Sequence, residues 1–205
     1  ARSTYRHGDL RRALLEAGLQ LAADGGPEAV VLREATRRAG VAPNAAYRHF
    51  AGRPELLAAV RDAAVAAMAE AMEAQLQRYP ADGEPLQRAR AKLRAVGAGY
   101  LGFARDHTGL FRTAFGGAFN LDRSGAAATA GRTGRDPFQH LGDALDALVA
   151  AGALPAERRP GAEFLAWSTV HGLALLVIDG PLRGLPQEQV DALTQRLLDM
   201  VERGL

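Results

Sequence analysis

Three features of the sequence predict an all-α fold, with a small helical unit at the N-terminus joined to a larger helical domain. Ala and Leu, both strong helix formers, dominate the composition. Apolar residues recur at helical spacing in successive segments that end at Gly or Pro. The segment from Leu32 to Phe50, LREATRRAGVAPNAAYRHF, reads as two short amphipathic helices around a glycine-containing turn, a helix-turn-helix whose geometry enters a DNA major groove.

Taken in order, a first helix is expected from about Gly8 to Asp24, with Leu10, Leu14, Ala17 and Leu21 on one face and Gly25, Gly26 and Pro27 ending it. The second, Leu32 to Ala39, carries Leu32, Ala35, Thr36 and Ala39 at helical spacing. Gly40 follows where a positive φ is needed, and Val41 fills the angle between the helices. The third runs from Pro43 to His49, since proline is tolerated in a first turn that has no partner for its missing N–H. Its Asn44, Ala45, Tyr47, Arg48 and His49 form a polar, small and aromatic surface suited to phosphates and base edges. A fourth helix begins at Arg53 or Pro54 and runs unbroken to about Gln77, long enough to leave the N-terminal unit.

Beyond the Pro80 to Pro85 break, a helix from Leu86 to about His107 carries Leu93, Val96, Tyr100, Leu101 and Phe103, and a short helix or turn presents Leu110, Phe111, Phe115 and Phe119. This aromatic group suits the lining of a small-molecule site, with Tyr100 and His107 as polar members, and it equally suits an ordinary core. Asn120 to Arg135, nearly devoid of large apolar residues, is expected to be a mobile loop. Asp136 then caps a helix with Pro137 in its first turn, running through Phe138, Leu141, Leu145 and Leu148 to Gly152. The last two helices are about Gly161 to Ile178 and Pro186 to Arg203. The first of them is apolar nearly all round and must be covered on both faces; pairing this hairpin with a symmetry mate in a four-helix bundle meets that need.

Composition and charge narrow the function classes. At 205 residues and 48% hydrophobic, the chain can build one small and one larger core. No cysteine is present, which excludes disulfides, thiolate metal sites and cysteine nucleophiles. The most apolar run, Leu165 to Ile178, contains Ser168 and His171 and is too short to span a bilayer, and the N-terminus is charged, so a cytoplasmic protein without a membrane anchor is expected. Residues 1 to 61 hold ten arginines against six acids, a net of +4, whereas residues 62 to 205 hold fifteen basic against seventeen acidic groups, a net of −2. The basic excess coincides with the helix-turn-helix and favours a polyanion partner.

Enzymatic readings find little support. Gly97 to Gly102 fits GxGxxG literally, yet RARAKLRAV before it is a charged helical segment and not a buried strand; the glycines better serve the close approach of another helix. The five histidines, His7, His49, His107, His140 and His171, show no metal-binding spacing, and Ser168 lies in no nucleophile elbow, so no metal, cofactor or catalytic residue is expected.

Gly40, Val41, Tyr47, His49 and Phe50 form the G-V-x-x-x-x-x-Y-x-H-F pattern that closes the DNA-binding motif of TetR-type transcriptional regulators, and the resemblance extends upstream through YRHGDLRRALLEAGLQLAADGG and downstream through Arg53, Glu55 and Leu56. The chain departs from that family where Val31 and Ala42 replace a Ser or Thr common at helix starts, and so carry no capping oxygen. Trp167, His171 and Gly172 resemble the Trp-His-Gly signature of one subgroup of the family's C-terminal domains, and GYLGFARDHTGLF, with Thr108 in place of a usual proline, is similar to the same subgroup.

The resemblance implies a DNA-binding domain over residues 1–53 and an effector-binding, dimerising domain over 54–205. It implies a homodimeric, ligand-responsive repressor on a pseudo-palindromic double-stranded operator, released by a small-molecule effector that is hydrophobic or aromatic. Asn44 and Ala45 are expected near base edges, joined by Arg33 and Arg48, with Arg6, Tyr47, His49 and Arg53 at phosphates. Tyr100, Phe103, His107, Phe111, Phe115, Trp167 and His171 are the expected effector contacts, His171 being either a polar anchor or a satisfied core histidine. Leu173, Leu176, Val190, Leu193, Leu197 and Val201 are expected in the dimer interface. The rival reading is a helical carrier or enzyme that retains a DNA-binding-like domain.

Overall fold

A computed structural model of the chain describes residues 7–78, 83–117 and 125–204. Its helices are α1 (His7–Gly25), α2 (Leu32–Arg38), α3 (Pro43–Ala46), α4 (Arg53–Leu76), α5 (Pro85–Asp106), α6 (Thr108–Phe115), α7 (Pro137–Ala150), α8 (Ala162–Ile178) and α9 (Gln187–Gly204). No strand occurs among the described residues, so the all-α expectation holds. The elements pack as two units, one holding the described residues up to Val65 together with those from His107 to Gly117, the other holding the remainder. The division falls inside α4, and α6 belongs to the first unit although it follows α5 in the chain.

The first unit is built around α1. Leu14 and Leu21 on α1, Val30 in the following turn, Ala35 on α2, Ala46 on α3, Phe50, and Leu56 and Val60 on α4 form one apolar core, with Leu110 of α6 packed against it. The turn between α2 and α3 follows from Gly40. At φ 67° it ends α2 in a left-handed conformation, so that its N–H reaches the Arg37 carbonyl at 3.3 Å while the Val41 N–H reaches the Thr36 carbonyl at 3.0 Å. Those two bonds satisfy the last carbonyls of α2 and aim Val41 at the core, where it packs. Helix α3 is shorter than the sequence suggests. Its regular part stops at Ala46, whose carbonyl accepts from both His49 and Phe50 at 2.9 Å, so Tyr47, Arg48 and His49 lie in a tightened closing turn. Neither the Val31 nor the Ala42 start receives a side-chain cap, as the missing hydroxyls imply.

In the second unit α5 is central, packed by α7, α8 and α9. The GxGxxG stretch explains how closely. A Cβ on Gly97 would meet Leu198 of α9 at 2.4 Å, and one on Gly99 would meet the Met72 backbone of α4 at 2.6 Å, so these glycines are contact surfaces for helices and not a phosphate loop. Ion pairs fasten α9 to α5, with Arg94 meeting both Asp199 and Glu202 and Arg90 meeting Glu202 at 3.1 Å. Asp136 caps α7 as expected, and the cap is reciprocal: its carboxylate accepts from the Gln139 N–H while Gln139 accepts from the Asp136 N–H.

The mobile-loop expectation is corrected over its described part, residues 125–135. A short 3-10 turn, Ala127–Thr129, is followed by a segment tied to Glu73 of α4. That carboxylate accepts from the Arg132 and Thr133 N–H groups at 3.0 Å and from the Thr133 hydroxyl at 2.6 Å, while His140 of α7 stands 3.3 Å away. Glu73 and His140 are both buried, and small residues let the backbone lie directly on the carboxylate: a Cβ on Gly131 would sit 2.5 Å from its Oε1. A composition poor in apolar groups here reflects hydrogen bonding to a buried acid in place of apolar packing.

Candidate DNA interface and effector site

The helix-turn-helix presents its expected residues to solvent unequally. Arg33 on α2, Asn44 on α3 and the following Tyr47 and Arg48 are exposed, Tyr47 at 60%, whereas Ala45 and His49 are half-buried. Arg6 lies outside the described residues. Most arginines around this surface are already partnered: Arg37 with Glu34, Arg38 with Asp24 and Glu34, and Arg12 with Glu16. Beside Arg37 the Glu34 carboxyl is held below the usual carboxylate range, chiefly by their hydrogen bond. The side chains of Arg33 and Arg48 have no hydrogen bond or ion pair among the described residues, so their guanidinium groups stand open to an incoming phosphate or base. Arg53 differs from the expectation, because its Nε donates to the Val30 carbonyl and its Nη2 to the Pro27 carbonyl, both at 2.9 Å, with Glu28 at 3.2 Å.

In the second unit three expected effector residues come together. Trp167 Nε1–H donates to the Tyr100 hydroxyl at 3.1 Å, and that hydroxyl lies 2.7 Å from His171 Nδ1. The three rings meet edge to face, with His171 6.3 Å from Tyr100 and 6.0 Å from Trp167 between centroids. Burial pushes the Tyr100 hydroxyl well above its ordinary pKa against the opposing hydrogen bond from Trp167, so it keeps its proton. Burial also lowers His171, which therefore stays neutral. The Tyr100 hydroxyl and His171 Nδ1 thus share one hydrogen bond between neutral groups. Phe138 extends the cluster through Phe164 and Trp167, at 5.8 Å and 6.3 Å.

The remaining effector expectations divide. Phe103 is buried on α5 in the same unit as Tyr100. Phe111 and Phe115 stack on each other at 4.9 Å on α6, in the first unit, where Phe111 is wholly buried. The aromatic stripe is split because the chain breaks at His107, the exposed residue that precedes α6. His171 carries both natures the sequence allowed, being hydrogen-bonded like a core histidine yet only half-buried.

The dimer expectations also divide. Leu176 is 43% exposed and Val190, Leu193 and Leu197 are half-buried, but Leu173 and Val201 are buried within the chain itself, at 7% and 9%. They face inward because α8 and α9 pack on α5. The apolar groups left outside are Leu165, Leu175 and Leu176 on one stripe of α8, with Phe164 beside them and Met200 on α9.

Comparison with known proteins decides the family. The tetR family of bacterial regulatory proteins matches residues 14–60, and the C-terminal domain described as tetracyclin repressor-like matches residues 93–201, over half of the chain. The chain belongs to the TetR family. As a member it is a DNA-binding transcriptional regulator and not an enzyme, it acts as a dimer, and it takes a small-molecule effector. The regulator is similar to a protein of unknown function from Rhodococcus sp. RHA1, at 26% identity and TM-score 0.76, covering 100% of this chain and 99% of that one. It shares its fold with TetR from Acinetobacter baumannii AYE, at 19% identity and TM-score 0.63 over 98% and 96% of the two chains. The same fold occurs in FadR from Bacillus subtilis, solved with stearoyl-CoA, at 13% identity and TM-score 0.61 over 95% and 98%. No curated protein sequence matches. Among the described residues no helix is long and apolar enough to cross a membrane.

Proposed function

We propose that this regulator is a cytoplasmic repressor that reads a pseudo-palindromic operator through two copies of the α2–α3 surface and releases it on binding a hydrophobic or aromatic effector. The observation that carries the DNA half is the exposed group Asn44, Tyr47 and Arg48, flanked by the uncommitted Arg33, on a motif fixed from beneath by an apolar core. Asn44 and Arg48 serve base edges, Arg33 a base edge or phosphate, and Tyr47 and His49 phosphates.

The effector half rests on Tyr100, Trp167 and His171, whose mutual hydrogen bonds orient polar atoms within an aromatic setting, with Phe103 as apolar neighbour. Dimerisation through the outward stripe of α8 and through α9 covers Leu165, Leu175, Leu176 and Met200 and places two recognition surfaces on one duplex. The stearoyl-CoA held by the FadR structure supports an effector with a large apolar part.

Trp167, the only tryptophan, reports on this site directly. Stearoyl-CoA and a panel of aromatic compounds are titrated against its emission and against release of bound DNA. A compound that saturably shifts the emission should release DNA over the same concentrations, as linkage requires. If compounds that release DNA never perturb Trp167, the effector site lies elsewhere.

A further inference from the structure

We infer that Arg53 is a positioning residue for DNA binding: from the first turn of α4 it pins the chain that leads into α2, and so fixes where the recognition surface stands. This rests on the DNA-binding reading of α2 and α3. The clamp is needed because of what α2 lacks. Helix α2 starts at Val31 without a side-chain cap, so no side-chain oxygen holds its start. Arg53 supplies that constraint from 23 and 26 residues away, by donating to the carbonyls of Val30 and Pro27.

The base of the clamp is itself held. Glu55, two residues along α4, accepts from the Ala51 N–H at 2.7 Å, which closes the first turn of α4. At the other end the Val30 side chain is wholly buried, so the carbonyl that Arg53 grips belongs to a segment anchored in the core. The planar guanidinium matters. Its fork sends two donors to two carbonyls at once, which a lysine ammonium on a flexible stem does not reproduce. Glu28, paired with the same group at 3.2 Å, engages its charge as well. Arg33 and Arg48 are the contrast, exposed and unengaged.

A contacting residue and a positioning residue answer differently to salt and to lysine. The probe is a duplex recovered from random DNA by the wild-type protein. Its affinity is measured across a salt series for wild type, Arg53→Ala, Arg53→Lys and Arg48→Ala, with amide exchange followed over residues 31–39. Both Arg53 variants should bind about tenfold more weakly, as expected for loss of charge-assisted hydrogen bonds, with an unchanged salt slope and faster exchange in α2. Arg48→Ala should weaken binding to this duplex more than to a scrambled one, the signature of a lost base contact, and leave α2 exchange unchanged. The inference is overturned if Arg53→Lys binds like wild type, or if Arg53→Ala flattens the slope while α2 exchange stays as it was. Should Arg53→Ala fail to fold, the lysine variant carries the test. A wild type that enriches no sequence would instead refute the DNA-binding reading, leaving the exchange arm to judge the clamp.

Discussion

The two units differ in how far their buried polar groups reach. In the first, the buried polar side chains Thr36 and Thr113 bond to carbonyls three and four residues back, Arg33 and Gly109, within their own helices. In the second, Glu73 reaches Arg132, Thr133 and His140, which lie 59 to 67 residues away. A locally satisfied hydroxyl adds little to the fold beyond its own turn. A buried carboxylate that gathers donors from a distant loop and helix fixes tertiary structure, and leaves several groups orphaned if removed. The first unit thus closes its buried hydroxyls within single helices, whereas the second also holds a buried carboxylate that gathers donors from distant segments.

The largest test of this contrast is Glu73→Ala. It strips partners from two backbone N–H groups, a hydroxyl and a buried histidine, and should lower the unfolding free energy by about 3 kcal/mol in urea titration. Thr36→Val, which removes a hydroxyl whose acceptor keeps its helical partner, should change stability by about 0.5 kcal/mol. Equal losses from the two substitutions would erase the distinction between the units.

A second test separates the inner and outer faces of α8. Leu173→Ala should cost about 2–3 kcal/mol of stability and leave a dimer in sedimentation, because the side chain is buried within the chain. Leu176→Asp should leave a folded chain that sediments as a monomer at micromolar concentration, since its site is exposed in the single chain and covered in the proposed bundle. Reversed outcomes would mean that the dimer uses another face.

The smaller effect is pH dependence in the second unit. Burial lowers the folded pKa of His171 below its ordinary 6.5, so its unfolded form binds protons more readily. Its contribution to stability is therefore full above about pH 6.5 and shrinks as pH falls below. Glu73 acts in the same direction lower down. Burial alone would raise it, but hydrogen bonds from Thr133, His140 and Arg132 more than offset that, so its folded pKa lies below its ordinary 4.5, and its stabilisation is lost as pH falls through that region. Trp167-detected unfolding should weaken on acidification, and His171→Phe should flatten the part of the curve near pH 6. An unchanged slope in that variant would show that His171 does not titrate with folding.

The same contrast explains what the sequence made legible. The α2–α3 motif could be read because its determinants are local: Gly40 sets one turn, Pro43 one helix start, and Leu32, Ala35 and Val41 fill one small core. The missing caps at Val31 and Ala42 were legible for the same reason. Glu73 was not, because a single acid in an alanine-rich helix looks like a solvated residue, and its partners sit in a glycine-rich segment that composition alone makes look mobile. One signal was available: Glu73 falls among Met68, Ala69 and Met72, on the buried side of α4. The commitment of Arg53 was equally hidden, since backbone carbonyls carry no residue identity. The helix break near His107 was legible from the sequence, but that Phe111 and Phe115 belong to the first unit was not, because unit membership is set by contacts far apart in the chain.

The central claim, a dimeric regulator whose α2–α3 surface reads a two-fold operator, is tested most directly by selecting random duplex DNA with the purified full chain and sequencing the bound pool. The account predicts one enriched motif of two inverted half-sites, with centres about 34 Å or a multiple apart along the duplex, lost on Leu176→Asp and degraded at specific base pairs by Asn44→Ala. Enrichment of a single unrepeated site, or a pool no different from the input, would contradict it.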